Sequence, residues 1–167
     1  MDLFYNLYCV LLKPTETFER FAKEYNTNLL IQGIVAYLIA TLIDNQLSVH
    51  MFIDSVMVWF ITVTLIFLTG YVFKLKRSDY GKIICLCSFA NLPLIFTAPL
   101  KLIADYHEAL FHWLSIALLI WIINLYIVAI SKACDIRRRK VIIFFSIPII
   151  GIAMLLIASL TQILLTL

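Results

Sequence analysis

The fold class that this sequence predicts is all-α: an integral membrane bundle of five transmembrane helices, preceded by short amphipathic interfacial helices. Three observations lead there. The chain is 63% hydrophobic and only 14% charged, more apolar surface than a soluble domain of this length can cover. Its apolar residues gather in five long runs, and about 20 such residues in a helix cross a hydrocarbon core of ~30 Å. Finally, twelve of its 13 Lys and Arg residues lie in alternate gaps between those runs. The runs are apolar on all sides and do not alternate with polar residues, which excludes a transmembrane β-barrel.

The lead covers residues 1–26 and the transmembrane domain residues 27–167. In the lead, Leu3, Phe4, Leu7, Tyr8 and Leu11 recur at helical spacing and give an apolar face. Pro14 ends that run and suits the first turn of a second helix. There Phe18, Phe21, Ala22 and Tyr25 share a face opposite Glu16, Glu19, Arg20, Lys23 and Glu24. Both helices are expected on the cytosolic membrane surface or packed beneath the bundle. The first basic residue, Lys13, is followed at once by Pro14, so no basic segment precedes an apolar signal core and the first span is expected to insert uncleaved.

The five spans are expected at Thr27 to Ile43, Met51 to Phe73, Ile83 to Ile103, Leu110 to Ile130, and Val141 to Leu167. In the first, Gly33, Ala36 and Ala40 form a stripe of small residues that lets another backbone approach closely. The third contains Pro93 and Pro99, and the fifth Pro148. Each proline removes a backbone hydrogen bond and is expected to bend its helix.

The charges orient the bundle. Lys13, Arg20 and Lys23 precede the first span; Lys74, Lys76, Arg77 and Lys82 separate the second from the third; Lys132, Arg137, Arg138, Arg139 and Lys140 separate the fourth from the fifth. Lys101 alone falls on the other side. The positive-inside rule places the N-terminus in the cytosol and, after an odd number of spans, the C-terminus outside. A net charge of +3 distributed over such loops reflects insertion and does not indicate nucleic-acid binding.

Asp79-Tyr80-Gly81-Lys82 precedes the third span and Phe89-Ala90-Asn91-Leu92-Pro93 falls within it, an aromatic-Ala-x-x-Pro element. With Lys13-Pro14 and Phe18 in the lead, Ser131-Lys132-Ala133 after the fourth span, and the five-span layout, the chain resembles the Yip domain family of polytopic membrane proteins. Eukaryotic members of that family are linked to Rab GTPases and vesicle traffic. This chain lacks their long N-terminal region and their Asp-Leu-Tyr-Gly-Pro motif. It is more similar to compact bacterial members, so the resemblance implies a bacterial cytoplasmic membrane and does not carry Rab binding with it.

Candidate chemistry is sparse. His50, His107, His112, Asp105 and Glu108 are weak metal candidates on the outer side. His107 and His112 are five residues apart, about 140° around a helix, and cannot face one ion from a regular helix. Cys9, Cys85, Cys87 and Cys134 fall on the reducing cytosolic side and read as small apolar filler. No nucleophile–base pair, phosphate-binding glycine pattern or cofactor motif is present, so no cofactor and no enzymatic activity are expected. Arg137, Arg138, Arg139 and Lys140 are expected to meet anionic lipid headgroups.

An intramembrane polar layer is expected from Gln32, Thr62, Asn91, Asn124 and Ser146, in the cytosolic half, with Asn91 and Asn124 buried between helices. The expected function is a non-enzymatic membrane scaffold or interaction protein whose partners are membrane lipids and another membrane or cytosolic protein. The alternative is a small transporter or exporter subunit with a polar cavity in that cytosolic half.

Overall fold

Pro14 divides the lead into two helices, as its ring requires. The computed structural model describes residues 3–46, 48–72, 79–104 and 106–144. They form α1 (Leu3–Leu12), α2 (Pro14–Lys23), α3 (Thr27–Asp44), α4 (Val49–Val72), α5 (Tyr80–Ala90), a 3₁₀ segment (Leu92–Phe96), α6 (Thr97–Ala104) and α7 (Glu108–Ala133). Residues 138–144 are also helical, and no strand occurs among the described residues. Four stretches are long and apolar enough to cross a membrane: Thr27–Asp44, Val49–Val72, Tyr80–Ala104 and Glu108–Ala133. Most of the expected fifth span, together with Ser146 and Pro148, lies outside the described residues.

Helix boundaries follow local chemistry. The Asn26 side chain accepts from the backbone N–H of Leu29 at 2.9 Å and caps α3. Asp79 caps α5, accepting from Gly81 N at 2.9 Å. The third span is where expectation and structure differ most. A bent but continuous helix was expected over residues 83–103. Instead α5 stops at Ala90, and Pro93 occupies the first turn of the 3₁₀ segment. Pro99 then lies in the first turn of α6, where its missing N–H costs little. The prolines therefore divide this span into pieces.

α5 is the hub of the bundle. Ile83, Cys85, Leu86, Cys87, Ser88, Phe89 and Ala90 are all buried against α3, α7, α4 and the lead. The small-residue stripe of α3 packs as expected. A Cβ on Gly33 would stand only 3.0 Å from the carbonyl oxygen of Cys85, and Ala36 and Ala40 are fully covered. Hydrogen at this position allows the α3 and α5 backbones to meet.

The lead packs onto the end of the bundle that carries the basic residues, hereafter the basic end. The face of α1 is rotated from the expected one. Asn6 and Val10 are the buried residues, Leu7 and Leu11 are partly covered, and Phe4 is 81% exposed with Tyr8 beside it. Side-chain pairing explains the rotation: Asn6 has hydrogen-bond partners inside and Phe4 has none to gain. On α2, Thr17, Phe18 and Phe21 are buried, and the Phe21 ring lies 4.9 Å from that of Phe89.

Candidate functional site

At the end of the bundle opposite the basic one, hereafter the far end, α4 meets α3 through Ser55, which bonds Asn45 and Tyr37, but none of its first-half residues is buried. Its buried residues are Val63, Ile66 and Gly70, all in the half nearer the basic end. The gap left beside its first half, together with the break between α5 and α6, opens a cleft of about 270 Å³. Tyr37, Thr41 and Asp44 line it from α3, Ser55, Trp59 and Thr62 from α4, Asn91 and Leu94 from the third span, and Tyr126 from α7.

Each polar wall has a local cause. The helix break places Asn91 at the C-terminus of α5, where its Nδ2 donates to the carbonyl of Cys87 at 2.9 Å and to the Tyr126 hydroxyl at 2.7 Å. Tyr37 donates to the carbonyl of Ser55 at 3.2 Å and stacks on Trp59 with ring centroids 4.3 Å apart. The Thr41 hydroxyl and the Trp59 indole N–H are buried without completing a hydrogen bond, although Tyr37 and Tyr126 lie near them. At the mouth, Lys101 of α6 reaches the C-terminus of α3. Its ammonium donates to the carbonyl of Asp44 and lies 3.6 Å from the Asp44 carboxylate. A cation there also complements the negative end of the helix dipole. The single basic residue outside the basic loops is thereby neutralised locally.

The basic end is more nearly closed: a smaller cavity of about 50 Å³ lies there beside Asn6, Leu29 and Gln32, and Arg20 Nε is buried without a hydrogen-bond partner. Asn6, fully buried, donates to Gln32 Oε1 at 2.9 Å and accepts from Arg20 Nη2 at 3.2 Å. Glu19 lies between Lys132 at 2.7 Å and Lys23 at 2.9 Å. The hydrogen bond from Lys132, reinforced by Lys23, holds the Glu19 carboxyl down at about 2. Arg138 donates to the Thr15 hydroxyl at 2.6 Å. Lys132 thereby fastens α2 to the end of α7, and Arg138 fastens it to the helical stretch 138–144. Tyr80 bonds Thr64 at 3.0 Å, and a Cβ at Gly81 would overlap the phenol oxygen of Tyr25. Asp79-Tyr80-Gly81 thus joins the lead, α4 and α5 at one corner.

Several expected site residues are placed differently. Asn91 is buried, as expected, but Asn124 is exposed among the described residues and does not meet it. Along α7, Ala117 and Asn124 are exposed, whereas Leu118 and Leu125, each one position on, are buried together with Val128, Ala129, Ile130 and Ser131. Gln32 belongs to the basic-end network, and Thr62 to the open edge of the cleft, where its hydroxyl donates to Val58 O at 2.8 Å. No single polar layer joins them, and the cleft lies toward the far end, away from the basic one.

The metal candidates do not converge. His50 pairs with Asp54 at 3.2 Å and His112 with Glu108 at 3.6 Å, each within its own helix. His107 caps α7 through its backbone position alone, and Asp105 lies outside the described residues. Among the described residues no three His, Cys, Asp or Glu side chains gather closely enough to hold an ion. Arg137, Arg138, Arg139 and Lys140 are all exposed, as headgroup contact requires.

Tyr37, Thr41, Trp59 and Tyr126 did not emerge as site residues from sequence reasoning. One signal was available. Trp and Tyr usually mark the membrane–water interfaces, yet Trp59 and Tyr126 sit well inside α4 and α7. An aromatic residue with a polar handle at mid-span needs a polar partner.

The sequence model of a family described as the Yip1 domain matches residues 8–160, nearly the whole chain. Comparison with curated proteins and with solved structures gives no match.

Proposed function

Since the chain belongs to the Yip domain family and is an integral membrane protein, we propose that it is a non-enzymatic scaffold that presents its basic end to a partner protein. The observation that supports this reading is the fastening of α2 to α7 by Glu19–Lys132 and to the helical stretch 138–144 by Arg138–Thr15, which leaves Glu16, Lys23 and the capping Glu24 exposed on a fixed segment. A lead held this way loses little conformational entropy when something binds to it.

In this reading the bundle has five spans, the last within residues 141–167, in a bacterial cytoplasmic membrane, with the N-terminus cytosolic and the C-terminus outside. The run of apolar residues after the helical stretch 138–144 supports the fifth span. So does Asn124, a carboxamide on the outer face of α7 that needs a polar neighbour in a membrane. The outward aromatic side chains of α1 and the exposed Arg137–Arg139 cluster support an interfacial position for the lead, against anionic headgroups.

Mild-detergent purification of the intact chain and of a Glu16→Lys/Glu24→Lys variant, followed by mass spectrometry, tests the scaffold reading. A protein that co-purifies with the first and is lost from the second supports it. Identical sets of co-purifying proteins contradict it. The cleft supports a second reading, a small transporter subunit, for which solute flux in proteoliposomes is the test.

A further inference from the structure

We propose that the cleft between α3, α4, the 3₁₀ segment and α7 binds an uncharged polyhydroxyl group, the size of a small polyol or one sugar ring. A volume of about 270 Å³ far exceeds the ~30 Å³ share of one water molecule, so the space is larger than a structural water needs. Its polar groups call for a ligand that both donates and accepts. The Thr41 hydroxyl and the Trp59 N–H lie buried behind the lining without a completed hydrogen bond, beside the Tyr37 and Tyr126 hydroxyls. The Tyr126 hydroxyl already accepts from Asn91, so its own proton remains to donate; Asn91 has both its amide hydrogens committed, so its Oδ1 remains to accept. Hydroxyl groups satisfy both kinds of partner, whereas a carboxylate or an ammonium satisfies one.

Charge narrows the class further. Asp44 is the charged residue lining the cleft, and Lys101 pairs with it. A charged ligand would bring an uncompensated charge into a low-dielectric site, which is costly. The stacked Tyr37 and Trp59 rings supply an apolar wall against which the C–H face of a polyol or sugar can rest. The same chemistry has two sources. A free polyol can enter from the aqueous far end. The sugar headgroup of a glycolipid can enter laterally, past the first half of α4, where no residue is buried.

This inference goes beyond the scaffold reading and stands or falls apart from it. The test uses the full chain in phosphatidylcholine nanodiscs, with Trp113→Phe and Trp121→Phe so that Trp59 is the only indole. The probes are glycerol and glucose in solution, and monoglucosyl diacylglycerol in the disc. Ethanolammonium and glycolate serve as charged probes of similar size. The expected result is a saturable change in Trp59 emission with at least one polyhydroxyl probe. Thr41→Val or Thr62→Val should weaken it at least tenfold, and the charged probes should bind at least tenfold more weakly. A response to glucose identifies the aqueous source, and a response to the glycolipid alone identifies the membrane. Absence of a saturable response to every polyhydroxyl probe overturns the proposal. So does equal binding of the charged probes, or unchanged affinity in both threonine variants.

Discussion

The two ends of this bundle are built on opposite terms. At the basic end, the buried Asn6 has two side-chain partners, α3 touches α5 across Gly33, and ion pairs fasten the lead to α7. At the far end, no residue in the first half of α4 is buried and a wider cleft remains, walled by Thr41 and Trp59. The divide falls at the broken third span. α5 fills the space between its neighbours, and after Asn91 the 3₁₀ segment no longer does. The comparison teaches that the Phe89–Pro93 element does two jobs. Phe89 locks the basic end against Gly33 and Phe21, while Asn91 and Pro93 end the helix and Asn91, with Leu94, lines the open cleft.

The largest expected effect comes from the basic end. Gly33→Ala places a methyl group 3.0 Å from a backbone oxygen that cannot swing aside. Overpacking of this kind costs about 1–3 kcal/mol, and Gly33→Leu should cost more. Thermal unfolding in detergent checks this; an unshifted midpoint for Gly33→Leu would show that α3 and α5 are not in backbone contact.

Next is Asn6→Ala, which strips a partner from Gln32 and from Arg20. Each lost hydrogen bond is worth about 0.5–1.5 kcal/mol, and the one to the charged Arg20 about 1.5–3 kcal/mol. The loss should appear as faster amide exchange in α1 and α2, with α6 unchanged. Uniform acceleration along the chain would mean that the lead is not a separable unit. Asn91→Leu should cost less, because interhelical hydrogen bonds in membranes average ~0.6 kcal/mol. Its clearer signature is a changed environment at Tyr126, read by tyrosine fluorescence or NMR.

The smallest effect is electrostatic. The folded pKa of Glu19, about 2, lies below its ordinary 4.5, so its contribution is complete above about 4.5 and is lost as the pH falls through about 2. Because the pair is partly exposed and solvent screens it, the consequence is local. Proteolysis of the α2 region should increase at the acid end of that window, and Glu19→Gln should already be labile at neutral pH. If the two proteins respond alike throughout, the Lys132 contact does not hold α2.

The sequence made the bundle legible because span number and charge placement depend on composition, which is strong here. Rotation about each helix axis was much harder to read. α7 is apolar on every side, so no amphipathic signal distinguishes Leu125 from Asn124 as the inward residue. The small stripe of α3 could be read because Gly33, Ala36 and Ala40 differ from their neighbours in size. The pairing of Lys101 with Asp44 depends on the turn of α6, which becomes visible only once the third span is known to break. The polar partners of Asn91 were missed for the same reason. The break sets which way its side chain points, and Tyr126 lies 35 positions away in sequence.

Thiol labelling across the two ends tests the account most directly. In a background lacking Cys9, Cys85, Cys87 and Cys134, single cysteines would replace Ser55 and Thr62 in the cleft and Ala36 and Ala129 in the packed region. A small water-soluble thiosulfonate would then be applied to the protein in nanodiscs. Rapid labelling is predicted at positions 55 and 62 and protection at 36 and 129. Protection of both cleft positions, or labelling of Ala36→Cys as fast as Ser55→Cys, would contradict a bundle open at the far end and packed at the basic one.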